Sequence, residues 1–290
     1  MTITIASSLW SLQQLALTKG ASLDDLIDIA ADIGVSAIEL NEDFLRLPPY
    51  ASIDGYRRLR NRIESRGLSV ASIWFYTDIP AAVRLTSVEE TVHQIGNYLG
   101  IASILGCPRI TLPPGEGGPN ADVDLAHAAM IGVLTQLMPV AEHYKVDIGL
   151  EIGRTTGNFQ TPQAALALVD KIASDRLRIV PDFEAWRHAT EDLPLSHVET
   201  TVIAEPASLD DFRKCLPYAP LIHAKLLRLD DAGNDWHFPL EQLMAAVRES
   251  GRDHVLDIEF EGWIPDIDPH CDSVVETRRC VELIRRLSHS

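Results

Sequence analysis

The chain alternates short apolar runs with longer stretches whose apolar positions recur every three or four residues. Residues 2–6 (TITIA) are short and β-branched, the pattern of a strand. Ser22 then starts a helical pattern, with Asp25 three residues on as in a capping box. Leu26, Ile27, Ala30 and Ile33 follow at helical spacing, and Gly34 supplies the stop. The unit repeats. Residues 37–40 (AIEL), 68–73 (LSVASI) and 109–112 (RITL) read as strands, with helices at 55–66, 87–105 and 125–144. In the second half, strands are expected at 147–151 (DIGLE), 177–182 (LRIVPD), 221–225 (LIHAK) and 254–259 (HVLDIE). Helices follow from Thr161, capped before Pro162, then near 208–214, at 240–249 and at 273–287. Eight strand–helix units predict a parallel sheet covered by helices. In 290 residues they fit a (β/α)8 TIM barrel, one domain over 1–290. An open doubly wound sheet fits less well, because no GxGxxG turn follows any strand.

Composition narrows the function classes. With 46% hydrophobic residues the chain can bury a sizeable core, so wholesale disorder is excluded. There are 42 Asp and Glu against 25 Lys and Arg, a formal net charge of −17. That balance argues against nucleic acid and against an anionic membrane surface, both of which are bound through Lys and Arg. Cys107, Cys215, Cys271 and Cys280 form no CxxC pair and read as free thiols. Residues 1–10 lack the basic flank and apolar run of a signal peptide, and no stretch of about 20 apolar residues occurs. The expectation is a soluble cytoplasmic protein.

The informative exception to apolar patterning lies at the strand ends. Barrel strands are buried on both faces and should be apolar throughout. Here Glu39, Glu151, Asp182, His223 with Lys225, and Glu259 stand at or near C-terminal ends, which in a barrel converge on one mouth. Three carboxylates and an imidazole gathered in an apolar barrel cannot all stay charged and unpaired. A divalent cation held by Glu151, Asp182, His223 and Glu259 resolves the repulsion. Mn²⁺ is the first choice; Mg²⁺, Co²⁺ and Zn²⁺ suit the same donors. No thiolate stands among them, which argues against a structural zinc site.

The loops add candidates. Trp10, Trp74, Trp186, Trp236 and Trp263 all follow strands, and Trp74 and Trp186 are read as aromatic walls for a substrate. His188 and His237 are auxiliary acid–base candidates, with His237 assigned to substrate binding. The loop 113–119 (PPGEGGP) looks like a phosphate cradle, but no Lys and Ser/Thr follow, so it reads as a shaped active-site loop. The long segment 182–215 holds Trp186, His188, His197 and the run 199–206, and reads as a surface insertion ahead of a lid or partner contact.

The motifs IGLEIG, RIVPDFE, LIHAKL and VLDIEFEG, in this order at strand ends, resemble the xylose isomerase-like TIM-barrel superfamily. The resemblance spans essentially the whole chain. It implies a metal that polarises the carbonyl of an open-chain sugar, while Glu151 and Glu259 move a proton at the adjacent carbon. It also implies substrate contacts from Glu39, Lys225 and Arg228, and a homo-oligomer. Two positions depart from the ketose epimerases: Ala185 replaces a His, and Leu229 an Arg, with Arg228 one residue earlier. The implied activity is a metal-dependent isomerase or epimerase of a sugar or polyol. The alternative is a lyase on the same scaffold, an inosose or dehydroshikimate-type dehydratase or a C-glycoside-cleaving enzyme. A multi-metal endonuclease is opposed by the net charge, and a non-catalytic barrel by the intact Glu–Asp–His–Glu set.

Overall fold

Eight strands form where the apolar runs place them: β1 (Ile3–Ser8), β2 (Ala37–Asn41), β3 (Ser69–Trp74), β4 (Arg109–Leu112), β5 (Asp147–Ile152), β6 (Leu177–Pro181), β7 (Leu221–Leu226) and β8 (His254–Phe260). The computed structural model describes residues 1–118, 121–188, 205–263 and 270–289. Neighbouring strands pair in parallel in the order β6-β5-β4-β3-β2-β1-β8-β7. The protein is a TIM barrel.

The remaining seam, between β6 and β7, closes through a single parallel bridge from Asp182 to His223. The sequence explains why pairing there is sparse. The Asp182 N–H donates to the Ile152 carbonyl of β5 at 2.9 Å. Donors alternate sides along a strand, so the Pro181 nitrogen faces β7 and has no proton to offer. β6 therefore ends at Pro181, one residue before the expected end, and Asp182 instead caps a short 3-10 turn, Phe183–Trp186.

The helices begin as their sequences direct. Ser22 and Asp25 form a reciprocal capping box ahead of Leu23–Ile33, and Gly34 ends that helix at φ +89°. Ser87, Thr161 and Ser208 each accept from the backbone N–H three residues on. Helix Val123–Tyr144 qualifies one expectation. Its 22 residues and mean hydropathy of 1.4 make it long and apolar enough to cross a membrane. Here it packs against helix Val88–Leu105 and buries Met130, Val133, Leu134 and Leu137 in the outer layer of the barrel.

Two cores result. The large one lies between strands and helices. A small one comprises Ala6, Ala37, Ala71, Val180 and Leu221. Three of these stand two residues before Glu39, Asp182 and His223 on their strands, hence on the same face. Short side chains thus floor the barrel interior, and polar groups occupy the next level. Gly149, two before Glu151, belongs to that floor: a Cβ there would stand 2.6 Å from Val180 Cγ2. Gly149→Ala is expected to lower unfolding stability by about 1–3 kcal/mol through overpacking. A thermal melt indistinguishable from wild type would contradict this packing.

Candidate functional site

β7 places His223 and Lys225 on one face by strand alternation, and β8 does the same for Asp257, Glu259 and, just beyond its end, Glu261. Across the interior, β2 brings Glu39, β5 brings Glu151, and the turn after β6 brings Asp182. The result is a buried cluster with His223 at its centre. His223 Nδ1 lies 2.7 Å from Glu151 Oε1 and 3.8 Å from Glu259 Oε2. Nε2 lies 3.3 Å from Glu39 Oε2 and 4.0 Å from Asp257 Oδ2. Trp74 Nε1 donates to the other Glu151 oxygen at 2.8 Å. Lys225 Nζ contacts Asp182 Oδ2 at 2.9 Å, Glu261 at 3.2 Å and Glu259 at 3.8 Å.

Burial and crowding shift these groups in distinct directions. Burial opposes charge on His223, but Glu259, Glu39 and Glu151 overcome it and hold the imidazole well above its usual 6.5. These carboxylates favour the protonated ring, whose two nitrogens face Glu151 and Glu39. Burial works against Lys225 too, and Asp182, Glu261 and Glu259 outweigh it. Glu151 stays below its usual range despite burial, because His223, Lys225 and the Trp74 N–H favour its anion. Glu259 and Asp257 go well above the carboxylate range, driven first by burial; Asp257 is raised further by Glu39 beside it. Asp182 is raised by burial, with Lys225 pulling the other way. Burial lifts Glu184, next to this cluster, to about 7.

Glu151, Asp182, His223 and Glu259 can each offer a ligand atom, all within 4.8 Å of one another. Three carboxyl oxygens and one ring nitrogen suit a hard or borderline divalent ion. The raised Asp182 and Glu259 mark negative charge crowded into a dry site, the strain such an ion relieves. The residues present fit a divalent cation.

A family model described as a xylose isomerase-like TIM barrel matches residues 27–275. The chain belongs to the xylose isomerase-like TIM barrel family. Among solved members of similar fold is the D-psicose 3-epimerase from Clostridium cellulolyticum H10, crystallised with D-tagatose. It superposes with a TM-score of 0.74 at 15% identity, covering 98% of this chain and 99% of that one. At this identity the likeness establishes the fold alone. Among curated proteins, the chain is 30% identical over 80 residues to a C-glycoside deglycosidase alpha subunit of Microbacterium trichothecenolyticum, a match covering 27% of this chain and 22% of that one. It is 26% identical over 198 residues to a 3'-dehydrocarminate deglycosidase alpha subunit of a Microbacterium species, covering 63% of this chain and 49% of that one. The matched regions therefore span less than half the length of these relatives.

Within this family barrel, not every expected contact residue reaches the cluster. Glu39, Trp74 and Lys225 do. Trp186 does not form an open wall. It is buried, its ring 4.9 Å from that of Phe212, and its Nε1 donates to the Ser208 carbonyl at 2.9 Å. A large aromatic packed on the buried Phe212 gains more from burial than from water, so it plugs the core. The Arg228 side chain is exposed; what holds it in place is its N–H, bound to Asp235 at 3.1 Å. His237 is nearly buried, with Nδ1 2.5 Å from Asp235 Oδ1, and its carbonyl accepts from the His188 N–H. Asp235 also accepts from the Leu227 and His237 N–H groups, so it knots the loop after β7. His197 and residues 199–204 of the long segment lie outside the described residues.

Sequence reasoning passed over Asp257 and Glu261, although alternation with Glu259 marks both. It also missed what shapes the rim. Glu42, after β2, accepts from the Tyr76 N–H after β3 at 3.1 Å. Asp78, after β3, accepts from the Glu116 and Gly117 N–H groups after β4, at 3.3 and 3.0 Å. Glu116 accepts from the Phe159 and Gln160 N–H groups after β5, each at 3.2 Å. The glycine-rich loop looks like an anion cradle because it is one, filled by the protein's own Asp78. A cavity of about 490 Å³ at the other end of the barrel, lined by Asp147, Arg178 and His254, gathers no comparable set. His254 there has both ring nitrogens engaged, by the Ala219 carbonyl and Ser250.

The raised groups set the pH response of the metal-free protein. Above pH 6.5 an unfolded chain releases the His223 proton while the folded chain retains it, so the stability it contributes drains away as pH rises. Raised Asp257 and Glu259 act in the same direction. The melting temperature of chelator-treated protein is expected to fall as pH rises from 6.5, and His223→Gln is expected to flatten that slope. A melting temperature that climbs over this range would refute the assignment.

Proposed function

We propose that this protein removes a proton from the carbon next to a carbonyl of a carbohydrate, at a divalent-cation site, and that elimination follows. The observation that carries the reading is the unequal pair of carboxyls at His223. Glu151 stands 2.7 Å and Glu259 3.8 Å from the same His223 nitrogen, and their carboxyls shift in opposite directions, Glu151 down and Glu259 up. Environments that push two carboxyls apart supply a base and an acid in one pocket.

Glu151, Asp182, His223 and Glu259 would hold the cation, Mn²⁺ by preference. When bound, such an ion supplies Lewis acidity toward a substrate carbonyl and its enolate. The chain's own residues do the rest. Trp74 fixes one Glu151 oxygen, leaving the carboxylate aimed by two donors and ready to take a proton. Glu259, beside Lys225, returns or delivers one. Lys225 ties Asp182 to Glu261 and keeps the far wall of the site in register.

Elimination is favoured over epimerisation by the relatives. The curated matches are deglycosidases, one acting on C-glycosides by its name. In the favoured reaction the C–H electrons form a new C=C bond as the glycosidic carbon–aglycone bond breaks, and the aglycone carbon takes up a proton. The absent epimerase His at Ala185 and Arg at Leu229 point the same way. The second reading, a ketose 3-epimerase, is supported by the fold neighbours. Both deglycosidase relatives are alpha subunits, and by that likeness this chain works beside a second polypeptide.

Calorimetric titration of metal-stripped protein is expected to give one Mn²⁺ per chain, with affinity rising with pH because binding displaces the His223 proton. Asp182→Asn is expected to weaken it by more than about 100-fold, beyond the loss typical of outer positions. Absence of binding would reject the cation site. Metal-replete protein is next incubated in D₂O with a keto-C-glycoside and with a ketose panel, read by NMR. Deuterium entry beside the carbonyl and aglycone release from the first substrate alone are expected. Glu151→Gln or Glu259→Gln is expected to slow exchange by about 10²-fold or more. Epimer formation without aglycone release would favour the second reading instead.

A further inference from the structure

Beneath the candidate cation ligands, Glu39, Asp257 and His223 form a second, wholly enclosed group, each 0% exposed. Its polar accounting does not close. Glu39 Oε1 and both Asp257 carboxyl oxygens are buried with no hydrogen-bond donor. A carboxyl oxygen buried without a donor destabilises a fold, and here three stand on two neighbouring side chains. The nearest donor to either is His223 Nε2, at 3.3 Å from Glu39 and 4.0 Å from Asp257. The same ring turns Nδ1 toward Glu151 and Glu259.

We propose that Glu39 and Asp257 are positioning residues for the cation site, acting through the far nitrogen of His223. The inference rests on the cation reading above. Two carboxyls behind Nε2 keep its proton there, which leaves the Nδ1 lone pair for a cation on the Glu151 side. They also make the ring a stronger donor, as a carboxylate behind a ligating imidazole does. Strand alternation builds this into β8: Asp257 acts below the ring and Glu259 stands beside its other nitrogen, two residues apart. The donorless oxygens are the destabilising side of that arrangement.

The test titrates Mn²⁺ into metal-stripped wild type, Asp257→Asn, Glu39→Gln and the double variant, and melts each metal-free protein. Each single variant is expected to weaken Mn²⁺ by about 10–100-fold. Asp257→Asn is also expected to raise the metal-free melting temperature, because its amide can donate to the unpartnered Glu39 Oε1. The double variant should lose less affinity than the product of the singles, since both act through one ring. Wild-type affinity in both single variants, whatever their melting temperatures, overturns this inference alone. Wild type that takes up no Mn²⁺ overturns the cation reading and this inference together.

Discussion

The imidazole of His223 is the contact on which the interior of the barrel depends. Its two nitrogens face Glu151 and Glu39 on opposite sides, and its backbone closes the β6–β7 seam by pairing with Asp182. Strand closure and the candidate site therefore share the residues Asp182 and His223. Pro181 removes a donor where β6 should join β7, so the seam relies on the residue after it, and that residue is a candidate ligand. Lys225 adds a side-chain tie across the same gap, from β7 to Asp182. A change at His223 should be felt as a fault in the barrel as well as in the chemistry.

The mouth is organised by carboxyls that face backbone rather than solvent. Glu42, Asp78 and Glu116 each leave one loop and are captured by N–H groups of the next, from the loop after β2 round to the loop after β5. Loop backbone needs partners wherever it is drawn inward, and an anion can satisfy two or three donors at once. Part of the acidic balance is thus structural. Asp235 does the same within the loop after β7, and in doing so sets the Nδ1 side of His237. Close approach follows: a Cβ at Gly115 would stand 2.4 Å from Asp78 Cα, which fits glycine and little else.

Most of the barrel could be read from the chain because its determinants are local. Alternating strand patterns, the Ser22–Asp25 box and Gly34 act within a few residues of themselves. The clustering of Glu151, Asp182, His223 and Glu259 was legible for a different reason: an ionisable residue in a strand that should be apolar stands out. Asp257 is harder to read, because it stands inside β8 rather than at the strand end that opens on the mouth. The placement of Trp186 is not legible locally, because an aromatic after a strand can face the mouth or plug the core, and Phe212, on a later helix, decides. The rim carboxyls were illegible, since Asp78 meets Gly117 and Glu116 meets Phe159 across loops whose paths no local pattern fixes.

Charge accounting inside the barrel carries the argument one step further. Glu39, Glu151, Asp182, Asp257, Glu259 and Glu261 converge on two cationic side chains, His223 and Lys225. A surplus of that size in a dry interior is relieved either by protonation or by a further cation, and the upward shifts of Asp182, Asp257 and Glu259 are the mark of that crowding. A divalent ion held by Glu151, Asp182, His223 and Glu259 would relieve it on the Glu151 side. The two carboxyls also differ in neighbours outside the candidate ligand set: the Trp74 indole donates to Glu151, and Glu261 adds negative charge beside Glu259. Those two contacts belong to the scaffold and lie outside the four candidate ligands.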